Sequence, residues 1–131
     1  MSEYLQTVKS HLQSLELDIS EEDTEEELVV VNDEDRGLHN LIVDCEDPIL
    51  IIEQAILPLP NNPGDLYKRL LEMNRTLIHG AFAIDEETGT VLFRDTLRLD
   101  TLDLAELDGS ITSLELALAE NAGELLEYAS H

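Results

Sequence analysis

The sequence is poor in cysteine, in aromatic residues and in positive charge. Cys45 is the single cysteine, tryptophan is absent, and aromatic residues make up 4% of the chain. One cysteine excludes an intrachain disulfide framework and a cysteine-rich zinc module. Seven Lys and Arg stand against 30 Asp and Glu, a formal net charge of −23. Because nucleic acids and anionic membranes are bound through Lys and Arg, this balance argues against both as the main partner.

Long apolar runs are also missing. The longest, such as Ile49–Ile52, has four residues, far below the roughly 20 that span a bilayer. The start of the chain has neither the basic nor the apolar region of a secretory signal, so we expect a cytoplasmic protein. With 131 residues, of which 43% are hydrophobic, the chain is long and apolar enough to fold as one domain over residues 1–131.

Motifs for catalysis and cofactor binding are absent from the sequence. It contains no glycine-rich phosphate loop, no Gly-x-Ser-x-Gly elbow and no His-Glu-x-x-His pair. The acidic run 18–27 lacks the glycine that an EF-hand loop needs at its sixth position. We therefore expect no catalytic site, no cofactor and no bound metal. The many carboxylates leave an acid–base enzyme as an alternative, although their spacing singles out no pair.

Three amphipathic helices are predicted from apolar residues that recur at steps of three and four. The first covers residues 2–16, with Ser2 as its N-cap. The second follows a Pro- and Gly-rich linker and is capped by Asn62. The third begins near Asp103 and runs for about 25 residues, with a possible kink or break near Gly123.

Five strands are predicted from short β-branched runs bounded by turn residues. The run 18–27 holds seven acids in ten residues and is interpreted as a solvated loop, because such density repels itself. Adjacent strands with short connections indicate an antiparallel meander. The element order is α-β-β-β-α-β-β-α, which predicts an α+β fold with an antiparallel sheet packed by helices. The predicted strands are 28–31, 38–45, 49–57, 80–85 and 90–99.

Two features each allow a structural and a functional interpretation. Cys45 ends an apolar strand, and a small buried hydrophobe is favoured over a reactive thiol. The basic residues are clustered, and intramolecular ion pairs in an acidic protein are favoured over a partner-binding patch. Five of the seven lie in one region: Lys68, Arg69, Arg75, Arg94 and Arg98.

The second half of the chain carries a resemblance to a known family. A helix ends in Leu71-Glu-Met-Asn74, the strand Gly80-Ala-Phe-Ala-Ile84 follows, and an acidic Gly turn leads into Val91-Leu-Phe-Arg94. This pattern resembles the YbjN-like proteins, which share the fold of the type III secretion chaperones of the CesT/Tir group. The detailed match covers about residues 64–130. The first half matches in element order and acidic character.

The resemblance implies an acidic, cytoplasmic, non-enzymatic protein that forms a homodimer and holds an extended segment of a client without ATP. By element, it places the dimer surface on the middle helix and the strand after it. It places client contact on the first helix and the exposed sheet, with odd-numbered strand residues. The implied dimer residues are Leu66, Leu70, Met73, Leu77, Phe82 and Ile84; the implied client contacts are Leu5, Val8 and Leu12.

The same sequence features also fit other functions. A regulatory or adaptor protein of the YbjN type, active in stress response or signalling, uses the same fold with no secretion client. An acidic decoy that imitates nucleic-acid phosphate predicts salt-sensitive capture of a basic DNA-binding protein. Adaptation to high salt also accounts for many acids and for only two lysines, Lys9 and Lys68. The strong negative charge itself keeps a protein with exposed apolar patches in solution.

Overall fold

The computed structural model describes residues 3–130 as one six-stranded antiparallel sheet with three helices. The sheet order is β1-β2-β3-β4-β6-β5, so β1 and β5 form its two edges. This confirms the α+β class. The elements are α1 (Glu3–Ser14), β1 (Asp18–Asp23), β2 (Leu28–Asp33), β3 (Leu38–Glu46), β4 (Ile49–Pro58), α2 (Leu66–Asn74), β5 (Ala81–Asp85), β6 (Thr90–Arg98) and α3 (Leu104–Ala129).

All three helices pack on one face of the sheet. The larger core joins α1 and the first half of α3 to the central strands, around Leu12, Phe93 and Ile111. The smaller core joins α2 to the second half of α3 and to β5. Alternation along each strand sends one set of side chains into these cores and leaves the other set on an open face.

The acidic run contradicts the prediction of a loop, because Asp18–Asp23 forms edge strand β1. An edge strand needs only backbone pairing and little burial, and five of its six side chains are exposed. Ile19 packs against the core, and Lys9 of α1 forms a salt bridge with Glu22. Since each charge projects into solvent, the self-repulsion expected for the run does not prevent pairing with β2.

The helix limits differ from the predictions at particular residues. The N-cap predicted at Ser2 lies outside the described residues. Helix α2 begins at Leu66 rather than after Asn62, because Gly64 has a φ of +56°, which a helix cannot contain. Helix α3 is capped as predicted, with the Asp103 side chain accepting a hydrogen bond from the Glu106 N–H at 2.8 Å. It runs unbroken through Gly123 to Ala129.

Candidate functional site

The residues implied for a dimer surface lie mostly inside the protein. Four of them are buried in the smaller core, Leu77 is half-buried in the loop after α2, and only Ile84 is exposed, at 40%. The reason is that the regular apolar stripe of a short amphipathic helix is the face that packs on its own core. The four buried side chains are Leu66, Leu70, Met73 and Phe82.

An exposed apolar groove nevertheless lies at the predicted place, between α2 and β5. Leu71 is 72% exposed, and Tyr67 stands one turn before it on the same outward face of the helix. Together with Ile84 of β5 they border a cavity of about 240 Å³, floored by Leu70 and Phe82. We refer to these residues as the α2–β5 groove. Leu71 and Tyr67 were missed in the sequence because they lie off the apolar stripe.

Asn74 closes the outer edge of β5 beside this groove. Its side-chain oxygen accepts a hydrogen bond from the Phe82 N–H at 2.7 Å, and its side-chain nitrogen donates to the Phe82 carbonyl at 3.1 Å. The amide therefore imitates a neighbouring strand at the position where β5 would otherwise offer its backbone. This gives a structural role to the asparagine at the end of the Leu-x-x-Asn pattern.

A second exposed apolar spot lies where the loop after α2 crosses α3. Ser113 fastens the loop, since its hydroxyl donates to the His79 carbonyl at 2.6 Å and accepts from the His79 N–H at 3.2 Å. Ile78 is thereby held outward, 80% exposed, beside Leu116 of α3.

The three residues implied for client contact are inaccessible in this fold. Leu5, Val8 and Leu12 of α1 are each 0% exposed and belong to the larger core. As folded, these side chains offer no surface for the client contact that the resemblance implies, because the stripe is the face by which α1 covers the sheet.

The odd-numbered strand residues are also mostly covered. In β3 and β6 the odd-numbered residues, such as Val43 and Phe93, point into the core. In β4 the parity is reversed, so that Leu50 and Ile52 are buried while Ile49 and Ile51 lie on the open face. Odd-numbered residues cannot point inward in every strand, because the length of each turn decides which residues of the next strand face the core.

The open face carries apolar residues interrupted by carboxylates. Across β2, β3 and β4, the register places Leu28, Asp44 and Ile51 in one row. A parallel row runs Val30, Ile42 and Glu53, and continues to Arg94 of β6. Arg94 forms a salt bridge with Glu53 at 3.0 Å. On the β6 side of the open face, the carboxylate is therefore paired with a cation.

Asp44 is the most perturbed carboxyl of this face. Burial, followed by the neighbouring charge of Glu46, raises the pKa of Asp44 from its ordinary 3.8 to about 6. Its Oδ1 is shielded from solvent and accepts no hydrogen bond. The adjacent Cys45 points into the core, and burial together with the charge of Glu27 raises the pKa of its thiol to about 11. A buried thiol with this pKa is a small hydrophobe rather than a nucleophile.

The clustered basic residues largely form intramolecular ion pairs, as favoured from the sequence. Arg69 of α2 contacts Glu124 of α3 through two hydrogen bonds of 2.6 and 2.9 Å, and Arg98 contacts Asp100. The guanidinium lowers the pKa of Glu124. Beside it, the Tyr128 hydroxyl donates to Asp65. An open cleft of about 620 Å³ is lined by Asp65, Arg69, Glu124 and Tyr128, whose contacts join the end of α3 to the start of α2.

Residues 3–130 contain no group of three or more side chains placed to hold a metal ion. No helix in this range is long and apolar enough to cross a membrane.

Solved structures with the same fold include chains from chaperone complexes. A chain of the HopA1–SchA chaperone–effector complex superposes with a TM-score of 0.65 at 16% identity, covering 88% of this chain and 91% of that one. The Yersinia pestis type III secretion chaperone SycH, in complex with a YscM2 fragment, gives 0.62 at 16% identity, with 88% and 98% covered.

A third similar structure comes from outside the secretion complexes. YbjN from E. coli, described as a candidate transcription regulator, gives a TM-score of 0.68 at 12% identity, with 92% and 93% covered. Curated protein sequences give no match. The model of the family CesT_Tir_1 matches residues 1–131, the whole chain. The chain therefore belongs to the CesT_Tir_1 family.

Proposed function

We propose that this protein is a cytoplasmic, non-enzymatic chaperone-like module, one domain over residues 1–131, that holds an extended segment of a client protein without ATP. The observation that carries the proposal is the match of the chaperone family over the whole chain. The chaperone–effector complexes among the similar structures support a protein partner. Independence of ATP is supported by the absence of a glycine-rich phosphate loop from the sequence.

We propose further that the chain works as a homodimer through the α2–β5 groove. Leu71, Tyr67 and Ile84 are exposed apolar side chains on one surface, and such a patch favours association. A two-fold dimer brings the same patch of two copies together, so that each helix α2 fills the groove of the other. The buried residues beneath, such as Leu70 and Phe82, support this surface without lying in the contact itself.

The dimer is tested by replacing Leu71, whose exposure makes a folding defect unexpected. Leu71→Asp places a charge in the groove, and we expect the mass in light scattering to fall from twice 14.7 kDa to 14.7 kDa at micromolar concentration. The matched control is Leu126→Asp, a leucine of α3 that is 70% exposed and does not line the groove. A wild-type protein that stays monomeric at about 100 µM contradicts the dimer.

A second candidate function is a regulatory or adaptor protein on the same fold. It is favoured by the similarity to YbjN, described as a candidate transcription regulator. The two functions differ in the conformation of the bound partner, which is extended for a chaperone client and folded for an adaptor. Hydrogen exchange on a complex purified from the native organism shows fast exchange outside the bound segment when a client is held extended. It shows a protected, folded partner when the protein acts as an adaptor.

A further inference from the structure

The open face of the sheet has two different halves. The half made by β1, β2, β3 and β4 presents apolar side chains that no helix covers. Ile42 is exposed at its centre, and its neighbours are half-buried among one another. The apolar side chains are Leu28, Val30, Ile42, Ile49 and Ile51. Together these five side chains form an apolar patch of the sheet that no helix covers.

Carboxylates lie among the apolar side chains of this patch. Along β3 the open-face residues run Ile42, Asp44, Glu46, and the paired edge strand β1 adds Glu21 and Asp23. Each carboxylate therefore stands beside an apolar side chain, one strand or two residues away. The pattern is a mixed surface of acidic and apolar neighbours, and the two kinds alternate from strand to strand in the row Asp23, Leu28, Asp44 and Ile51.

No cation within residues 3–130 pairs with Asp44, Glu46, Glu21 or Asp23 in a salt bridge. The two arginines of the open face are engaged elsewhere, Arg94 with Glu53 and Arg98 with Asp100. Lys9 lies on the helix side, where it binds Glu22. This half of the face thus retains uncompensated negative charge beside apolar surface, a combination that complements a partner with both cationic and apolar groups.

Asp44 is the carboxylate of this patch on which burial and the neighbouring acids act most strongly. Its Oδ1 is shielded by the surrounding side chains and has no hydrogen-bond donor. Glu26, Glu46 and Glu53 are the charged groups that act on it, all of them acidic. A Lys or Arg side chain laid over the patch supplies the positive charge that Asp44 and its acidic neighbours lack.

The two edges are less suited to receive a partner strand. Asn74 covers the β5 backbone at Phe82, and β1 carries a register shift between Ile19 and Glu21 that disturbs regular pairing. A partner therefore gains more from side-chain contact with the face than from extending the sheet. In an extended segment, every second residue points to the same side, and those residues alone touch the face.

From these observations we propose that the acidic half of the open face, centred on Ile42, Asp44 and Ile51, binds an extended cationic segment of another protein whose face-directed residues alternate between apolar and Lys or Arg. This inference rests on the proposed protein-binding function and specifies the chemistry of the segment that is bound. Apolar residues of the segment cover Ile42 and Ile51, and its cations meet Asp44 and Glu46.

The test uses the full-length protein and four labelled nine-residue peptides in fluorescence anisotropy. The probe has Val and Lys alternating at odd positions and Ser at even positions. Its relatives carry Gln in place of Lys, Glu in place of Lys, or Ser in place of Val. We expect the Val–Lys peptide to bind at least about fivefold tighter than each of the others, and to weaken as salt rises.

Paired variants locate the binding. Asp44→Asn with Glu46→Gln removes two charges from the patch and should weaken the Val–Lys peptide at least about fivefold. The control, Glu86→Gln with Glu87→Gln, removes two charges from the exposed β5–β6 turn and should leave binding unchanged. Ile42→Ser should weaken the same peptide through its apolar residues. Thermal denaturation of each variant confirms that it is folded.

Several results overturn the inference. If the peptide with Ser in place of Val binds as tightly as the Val–Lys peptide, the protein recognises positive charge alone, as an acidic decoy does. If the control variant weakens peptide binding as much as the Asp44 and Glu46 variant does, the effect comes from the net charge of the protein and not from the patch. A change of oligomeric mass in Ile42→Ser makes a second copy of the chain the occupant. If none of the peptides binds although the protein dimerises and captures a client, this inference fails while the proposed function stands.

Discussion

The two edges of the sheet avoid unwanted strand pairing by different physical means. At β5 the protection is packing, because α2 lies alongside the strand and the Asn74 side chain hydrogen-bonds the backbone N–H and carbonyl of Phe82. At β1 the protection is charge and irregularity, with four acids in six residues and a register shift after Ile19. The packed end can therefore expose apolar side chains such as Leu71 without exposing a strand. The charged end leaves a mixed acidic and apolar face uncovered.

The largest effect is expected from breaking the packed edge. Asn74→Ala removes two hydrogen bonds to a buried strand residue and leaves the Phe82 N–H and carbonyl unpaired. We expect the free energy of unfolding to fall by about 2 to 3 kcal/mol, measured by urea denaturation.

The matched control is an asparagine at the charged end. The Asn32 side chain accepts a hydrogen bond from the Asn40 N–H at 2.9 Å and donates one to the Ser20 hydroxyl at 2.8 Å. Both hydrogen bonds are exposed, so water can take the place of the Asn32 side chain. Asn32→Ala should cost less than about 1 kcal/mol. Equal losses in the two variants contradict the view that only the β5 edge depends on packing.

A smaller, pH-dependent effect is expected at the charged end. The pKa of Asp44 is raised in the folded state to about 6 from 3.8, so the folded protein holds this proton more tightly than the unfolded chain. The ionised carboxyl therefore destabilises the fold above about pH 6, and this penalty disappears as the pH falls below 3.8. Asp44→Asn should raise stability at pH 8 by about 1 to 2 kcal/mol, allowing for solvent screening, and should change nothing at pH 3.5.

Urea denaturation at the two pH values measures this difference, with Glu86→Gln on the exposed turn as the control. Glu86 has no such burial, so its variant should match the wild type at both values. A stability gain in Asp44→Asn that is the same at pH 8 and pH 3.5 assigns the effect to packing and not to ionisation.

The smallest change in folding free energy is expected from removing charge at the β1 edge, where the effect is on association. Asp18→Val with Glu21→Val leaves an apolar edge strand with free backbone groups. We expect a change in the free energy of unfolding below about 0.5 kcal/mol but concentration-dependent aggregation in light scattering. The same replacements at Glu86 and Glu87, away from the sheet edge, should leave the protein in solution.

Much of the fold was predictable because local pattern and tertiary packing agree in it. The stripe of α3, its cap at Asp103 and the β5–β6 hairpin all follow from spacing and turn chemistry. Strand β1 was not predictable, because its acids carry no alternation of apolar residues and its pairing depends on β2. Helix α2 starts late for a local reason, the positive φ of Gly64.

The candidate site was predictable by element but not by residue. Leu66, Leu70 and Met73 mark helix α2 correctly, yet their regular spacing is what buries them. The exposed residues, Tyr67 and Leu71, were missed because they lie off the apolar stripe that packs on the core. Leu5, Val8 and Leu12 resemble Leu66 and Leu70 instead, because their regular spacing marks helix α1 and puts them on its buried face.

The amino-acid sequence by itself determined the α+β class, the family resemblance and the strong negative charge, because composition and periodicity are local properties. Only the tertiary structure decided which apolar residues remain exposed and which carboxylates lack a cation. Exposure depends on which helix covers which face, and ion pairing depends on register between strands distant in the chain, as between Glu53 and Arg94. The groove at Leu71 and the acidic face at Asp44 both arise at that level.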